Sequence, residues 1–314
     1  MPASSAVPAV IALGEPMAEF AAEQGGRLGE VQTFRRGFGG DTANFIIAVA
    51  RMGVSCGYVT RLGGDEFGRA FLTLWAQEGV DTRGVIVEPD GATAVYFISH
   101  HAGGHDFTYY RNASAASRLR PDDLDDADLT GAKVVHTSGI TQAISASARA
   151  AVDRALGIAE RAGGTISYDA NIRPRLWPVE TAKPVAERTF GRAQLVFLSE
   201  EDAAHLYPGS PPQDVVERVL AFGPRIVALK RGERHALPAW PVDVVDSTGA
   251  GDAFAGAFVA AWLGGARVED AAWAANASGA LTATGLGAVG PIPTRAQVAG
   301  FIRERQIRTH HRRE

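Results

Sequence analysis

The chain of 314 residues has one cysteine, Cys56, so no disulfide can form within it. That fits a reducing compartment. Cys56 lies between Val54 and Tyr58 and reads as a core residue. Long hydrophobic runs are also missing. The longest, Ala253 to Gly265, falls short of the roughly 18 residues of a membrane span and has the length of a buried helix. The first eight residues lack the basic start and apolar stretch of a secretory signal. Lysine is scarce, only at Lys133, Lys183 and Lys230 with arginine supplying the rest of the 31 basic residues, and the net charge of −4 argues against a nucleic-acid binder. The phosphate loop Gly-x-x-x-x-Gly-Lys-Ser/Thr is absent, as is Gly-x-Gly-x-x-Gly after the first strand, so neither a P-loop nor a dinucleotide-binding protein is favoured. His100, His101 and His105 flank a glycine-rich loop without the spacing of a metal site and read as surface residues. A soluble cytoplasmic protein is expected.

What is present is ordinary globular composition, 46% hydrophobic and 21% charged, in a length that suits one large or two modest domains. Val10 to Glu15 reads as a strand ending in a turn. A glycine turn, Phe38 to Asn44, precedes a helix over 45–52, and a second helix is expected over 65–78. Strands are expected over 93–99 and 107–111, joined by a glycine-rich loop. From Lys133 onward strands alternate with helices: strands at 134–137, 165–169, 195–198 and 226–230, helices at 145–162, 184–191, 202–206 and 214–222. That rhythm predicts a mostly parallel sheet covered on both faces, with ligands at the carboxyl ends of its strands.

The most informative stretch is Val244 to Asp252, followed by the apolar run Ala253 to Phe258. It reads as a strand, a glycine turn and a helix. Gly249 and Gly251 let the backbone come close to a ligand, and the helix start aims free N–H groups and a positive dipole end into the turn. Such a place suits phosphate. Asp252 beside it is wasteful for binding an anion alone. It makes sense as a base that takes a proton from a hydroxyl attacking the phosphate, or, more blandly, as a helix cap.

Gly39-Gly40 with Asn44 and, about 200 residues later, Asp246-Ser247-Thr248-Gly249-Ala250-Gly251-Asp252 together resemble the ribokinase-like (PfkB) carbohydrate kinases. The resemblance covers nearly the whole chain. It implies one domain over 1–314, a three-layer α/β/α fold with a mostly parallel sheet, and a small β-sheet lid from about 15–38 and 93–111. It implies that Asp252 deprotonates the sugar hydroxyl while the amides of Gly249, Ala250 and Gly251 hold the phosphoryl charge. Gly39, Gly40 and Asn44 would line the sugar pocket. Several strings resemble 2-keto-3-deoxygluconate kinases in particular: Gly14 to Met17, Thr108 to Arg111, His136 to Ile140, Asp169 to Arg173, and Lys230 to Gly232. By that resemblance Tyr96, Tyr109, Arg111 and Arg173 contact the substrate. Asn171, Ser199, Lys230, Gly232 and Asn276 fall on the nucleotide side, and Asp202 on the magnesium side. Arginine suits a sugar acid, because a carboxylate takes a planar bidentate donor and a neutral sugar needs none. ATP and Mg2+ are implied, with K+ as an additional candidate, and a homodimer through the lid.

Two departures stand out. Ser199-Glu200-Glu201-Asp202 occupies the place of the family's Asn-x-x-Glu motif, with Asp202 one methylene shorter. Lys230 to Ala236 runs almost directly into Leu237 to Pro241, where relatives carry a longer hairpin bordering the adenine site. The expected activity is ATP-dependent phosphorylation of a sugar acid. The alternatives are a kinase of fructose or ribose, and a catalytically weak sugar- or nucleotide-binding protein.

Overall fold

Short apolar runs that no polar residue interrupts become strands buried on both faces. β1 (Val10–Leu13) is buried throughout. In the computed structural model, which describes residues 6–101, 104–231 and 240–310, eleven strands make two sheets. β2 (Met17–Gly25) and β3 (Phe34–Gly39) follow, then β4 (Cys56–Gly63) and β5 (Val85–Glu88), then the hairpin β6 (Ala94–His101) and β7 (Gly104–Tyr110). β8 (Val134–Ser138), β9 (Thr165–Asp169), β10 (Leu195–Ser199) and β11 (Ile226–Lys230) complete the set.

The larger sheet has the order β11-β10-β9-β8-β1-β4-β5, and every neighbour pair is parallel. From β1 the chain adds strands on one side, then returns to add β8 on the other. That reversal opens a crevice at the carboxyl ends of β1 and β8. Successive residues of β1 face opposite ways: Ile11 and Leu13 pack under the helices Ala146–Ala162 and Val179–Phe190. Val10 and Ala12 pack under Asp41–Arg51, Glu66–Glu78 and Ala250–Leu263. These are the two helical layers around the sheet. The small sheet, β3-β2-β6-β7, mixes one parallel pair with two antiparallel ones.

Expected and observed elements differ at instructive places. The helix after the glycine turn starts at Asp41, four residues earlier than its apolar periodicity shows. The helix expected from Pro184 starts at Val179 and carries Pro184 inside it. The strand expected at Val244–Val245 is irregular, and both side chains are exposed. There the N–H groups of Val245 and Asp246 both donate to the Ala283 carbonyl at the end of the Val268–Thr282 helix, so no ladder is needed.

One close approach positions the site. A Cβ on Gly256 would stand 2.6 Å from both the Ala48 Cβ and the Phe45 carbonyl oxygen. The Asp41–Arg51 and Ala250–Leu263 helices therefore touch backbone to backbone there. Gly256→Ala should push them apart, costing about 1–3 kcal/mol of stability. It should also cut turnover more than its stability loss explains, since the same contact brings Asn44 to Asp252. Urea unfolding beside kcat at a temperature where the variant is folded checks both.

Candidate active site

Gly249 has φ of 76° and stands at the N-terminus of the Ala250–Leu263 helix, with no side chain capping the first turn. The Ala250 N–H, expected to face phosphate, donates instead to the Ser247 carbonyl at 3.2 Å, which leaves the Gly249 and Gly251 amides as the donors open to a ligand. Asp246 fixes the turn from behind. Its Oδ1 accepts from the Thr248 N–H at 2.9 Å and from the Thr248 hydroxyl at 2.6 Å, and its Oδ2 accepts from the Gly287 N–H at 2.9 Å. A Cβ on Gly251 would stand 3.3 Å from Lys230 Nζ, so an ammonium lies over the same turn. Amides, helix dipole and cation converge as an anion requires.

Asp252 follows in the first turn, where it does not cap: the structure instead shows Asn44 Nδ2 donating to Asp252 Oδ2 at 2.8 Å. Burial, with the Asp41 carboxylate adding to it, pushes the Asp252 carboxyl up to about 7, against the pull of Lys230 and Asn44. A carboxylate so tuned can take a proton near neutral pH. Asn44 was expected in the sugar pocket; here it orients Asp252, and its own Oδ1 is buried without a partner.

Around this pair lie two carboxylates the sequence reading passed over. Asp41 opens its helix after Gly40, whose φ of 100° and contact with the Glu15 carbonyl leave no space for a side chain. Asp41 Oδ2 accepts from Asn171 Nδ2 at 2.9 Å, and Asn171 itself has φ of 36°. Asp169 ends β9 and accepts from Lys230 Nζ at 2.6 Å. Burial alone would lower the Lys230 ammonium, but Asp169, with Asp252 and Asp202 beyond it, holds it above its ordinary value. Asp169 Oδ1 is buried with no hydrogen-bond partner among the described residues. Signals for both carboxylates were present: Asp41 directly follows Gly39-Gly40, and Asp169 ends a strand at the carboxyl edge.

An unpartnered buried carboxylate oxygen beside an anion site is a hard donor of the kind Mg2+ takes. Among the described residues no three His, Cys, Asp or Glu side chains group closely enough to hold a metal alone. That fits an ion held largely by water and phosphate oxygens. Asp202 Oδ1 accepts from the Ile172 N–H at 2.6 Å, and its Oδ2 from the Ser199 N–H and hydroxyl, each at 2.7 Å. It is 1% exposed and completes a capping box with Ser199. Its oxygens are occupied by main chain and serine, so Asp202 holds the 171–173 loop in place and could serve magnesium only through water. Ser199 is likewise spent on the cap.

The substrate side is built where β7 meets the loop after β9. Tyr109 is half exposed, and its phenol, pushed up by burial, feels the positive charge of Arg173, Arg111 and Arg175. The three arginines differ in how far they are compensated. Arg111 forms a buried ion pair with Glu15, whose other oxygen accepts from the Ser114 hydroxyl at 2.5 Å. Arg173 lies 3.9 Å from Asp202 and donates to the Ile172 carbonyl at 3.0 Å, with its side chain 41% exposed. Arg175, unmarked in the sequence reading, donates to the Phe107 carbonyl of β7 at 3.5 Å and has no carboxylate partner among the described residues. Its signal was its place two residues after Arg173 in the same loop.

Tyr96, expected to contact substrate, is corrected. It is 4% exposed, its hydroxyl donates to Glu19, and its ring packs with Met17, Ala21 and Ile98. A Cβ on Gly39 would collide with that ring, so Gly39 makes room for Tyr96. Asn276 is half-buried, three residues before Gly279, whose Cβ would stand 3.1 Å from the Ala250 carbonyl; it therefore flanks the start of the Gly249 helix. Gly232 and the shortened hairpin, 232–239, lie outside the described residues.

With this geometry in view, the chain matches the pfkB family carbohydrate kinase model over residues 8–295. It is 36% identical to a 2-dehydro-3-deoxygluconokinase of Thermoproteus tenax, across 87% of this chain and 89% of that one. It is 34% identical to fructokinase-1 of Oryza sativa subsp. japonica, across 92% and 96%. The crystal structure of a putative ribokinase II of E. coli in complex with ATP and Mg2+ superposes with a TM-score of 0.87 at 30% identity, covering 95% and 99%.

Proposed function

Because the chain belongs to the pfkB family of carbohydrate kinases, we propose that this site phosphorylates a sugar acid, 2-keto-3-deoxygluconate at its terminal hydroxyl, at the expense of ATP. Asp252 takes the hydroxyl proton as the oxygen attacks the γ-phosphorus. The bond from that phosphorus to the bridging oxygen breaks, and ADP carries the electron pair away. The Gly249 and Gly251 amides and Lys230 hold the charge that spreads over the phosphoryl oxygens. Asn44 keeps Asp252 aimed. Mg2+, when bound, would neutralise the phosphates; Asp169, with one carboxylate oxygen unpartnered among the described residues, is the carboxylate nearest that role. Asn171, through Asp41, and Asn276 border the nucleotide side.

The observation that carries the sugar-acid reading is the trio of arginines around Tyr109: Arg175 has no carboxylate partner among the described residues, and Arg173 has only the distant Asp202 at 3.9 Å. A neutral sugar has no group that rewards such a surplus. Fructokinase relatives are nearly as similar, so the acceptor is decided by a coupled ADP-release assay with Mg-ATP against 2-keto-3-deoxygluconate, fructose and ribose. Turnover confined to the acid supports the reading. Turnover on neutral sugars alone overturns the acceptor, and ligand binding without turnover favours the binding-protein alternative.

The two kinds of arginine should respond differently. Arg175→Ala should raise KM for the acid about three- to tenfold, with kcat and thermal stability kept. Arg111→Ala strands the buried Glu15 and should destabilise the fold by about 3 kcal/mol besides raising KM. Michaelis parameters and urea midpoints of both variants check this. A cytoplasmic homodimer joined through the small sheet as a lid, and K+ as an additional ion, belong to the same reading. Sedimentation and assays with and without K+ test these.

A further inference from the structure

Glu19 sits inside the small sheet, 2% exposed, where a carboxylate is costly. Its place is built for it. In the sheet register it lies between Gly37 of β3 and Tyr96 of β6. A Cβ on Gly37 would stand 2.6 Å from Glu19 Oε1, and one on Gly287 would stand 2.5 Å from the same oxygen. Two glycines thus leave the space that the carboxylate fills. It accepts from the Tyr96 hydroxyl on the sheet side, and from the Ala288 N–H at 3.2 and 3.3 Å on the other.

That second contact leaves the small sheet. Gly287 N–H donates to Asp246 Oδ2 at 2.9 Å, and Asp246 Oδ1 accepts from the Thr248 N–H at 2.9 Å. A Cβ on Gly249 would stand 3.0 Å from the Ala288 carbonyl oxygen. An unbroken run of contacts therefore joins Tyr96 and Glu19 to the turn whose amides face the crevice. No other part of the site needs Glu19, and an apolar residue would fill the space at lower cost.

We propose that Glu19 is a positioning residue that ties the small sheet to the Gly249 turn through Gly287 and Ala288, setting the turn's amides for phosphoryl transfer. The proposal rests on the assignment of Gly249 to Gly251 as the phosphoryl-binding turn. Turnover then requires the small sheet to be docked, which links closure over the acceptor to assembly of the catalytic turn. Tyr96 and Ala288 both donate to this group, and an ionised carboxylate is the stronger acceptor for each, so the ionised form is the working one. Burial pushes Glu19 up to about 7, against the pull of the Tyr96 and Ala288 donors, with Asp246 adding to the rise. The other charged groups nearby are Arg35 and Arg36, which line the adjoining cleft of about 320 Å3 with Glu19. Protonation below that pH removes one acceptor and loosens the tie.

The test uses the full chain with Mg-ATP and whichever of 2-keto-3-deoxygluconate and fructose the wild type turns over. Glu19→Gln keeps the shape but sets an amide where an acceptor is needed. Its kcat should fall about tenfold, with KM for ATP and for the sugar unchanged. The acid limb of its kcat profile should lose one of two protons, leaving the one that belongs to Asp252. Unchanged kcat overturns the proposal. A raised KM for the sugar at unchanged kcat also overturns it, by making Glu19 a direct contact. If Glu19→Gln does not fold, Tyr96→Phe removes only the donor on the sheet side and should lower kcat in the same way; unchanged kcat there is equally fatal. Asp252→Asn runs alongside. Full activity in that variant unseats the whole site assignment, whereas its inactivity beside a fully active Glu19→Gln unseats the tie alone.

Discussion

Asp252→Asn should lower kcat about 10³-fold, close to 4 kcal/mol of barrier, while KM for both substrates stays within a small factor. The substitution keeps the size of the side chain and an oxygen for Asn44 Nδ2 to bond, so the site is not dismantled. What disappears is the proton acceptor. The wild-type rate should fall as pH drops through about 7, where the buried Asp252 carboxyl takes up its proton, and the residual rate of the variant should lose that proton from its acid limb, keeping only the one that belongs to Glu19. Stability moves the opposite way. The folded carboxyl holds its proton up to about 7, whereas the ordinary value is 3.8. Between those values the folded state binds more protons than the unfolded one, so stability falls as pH rises. Asp252→Asn removes that penalty and should raise the melting temperature of the ligand-free protein at pH 8 but not at pH 4. An enzyme that keeps a destabilising group at its reacting centre is giving up stability for rate. Full turnover by the variant, or a melting temperature that moves equally at both pH values, would refute the assignment.

Lys230→Met should be the most damaging change away from the base. The lysine pairs with Asp169 at 2.6 Å in a nearly closed setting, the two side chains being 18% and 5% exposed. Removing one member leaves a buried charge uncompensated, which costs about 3–5 kcal/mol. The same ammonium lies over the Gly249 turn, so kcat should fall about 10²-fold as well. The two effects separate in the double variant Asp169→Asn with Lys230→Met. Neutralising the stranded partner should recover most of the urea midpoint and none of the activity. Recovery of both would show that Lys230 acts only as a structural partner.

Much of the site can be read along the chain because its chemistry is local. The Gly249 turn, the helix behind it and Asp252 follow from a few consecutive residues whose backbone needs are set by glycine and by the helix start. Asp246 closes on Thr248 within the same loop. Alternating strands and helices likewise announce a parallel sheet with ligands at one edge, since that is the arrangement in which both faces of each strand are covered. Boundaries were less legible where a turn or a tertiary contact set them. Asp41 starts its helix because Gly40 turns sharply beneath the Glu15 carbonyl, a contact no periodicity records.

What residue types alone left undecided was which charges cancel. Arg111 and Arg173 look equivalent in sequence, and Arg175 looks incidental. Folding sets Glu15 against Arg111 and leaves Arg175 beside β7 without a carboxylate. Tyr96 reads as a ligand of the substrate until its hydroxyl is seen donating a hydrogen bond to Glu19 on the neighbouring strand. Asp202 reads as a residue of the magnesium side, and folding adds a second duty, with the Ile172 amide and Ser199 on its oxygens. The sequence by itself determined the architecture, and it marked the glycine turn and Asp252 on which the proposed chemistry rests. These depend on backbone conformation and on periodic burial, which neighbouring residues dictate. Only the tertiary structure decided who neutralises, orients and titrates each group, because electrostatic energy depends on separation in space and on depth from water, and residues such as Asn44 and Asp252 meet only when the helices that carry them pack.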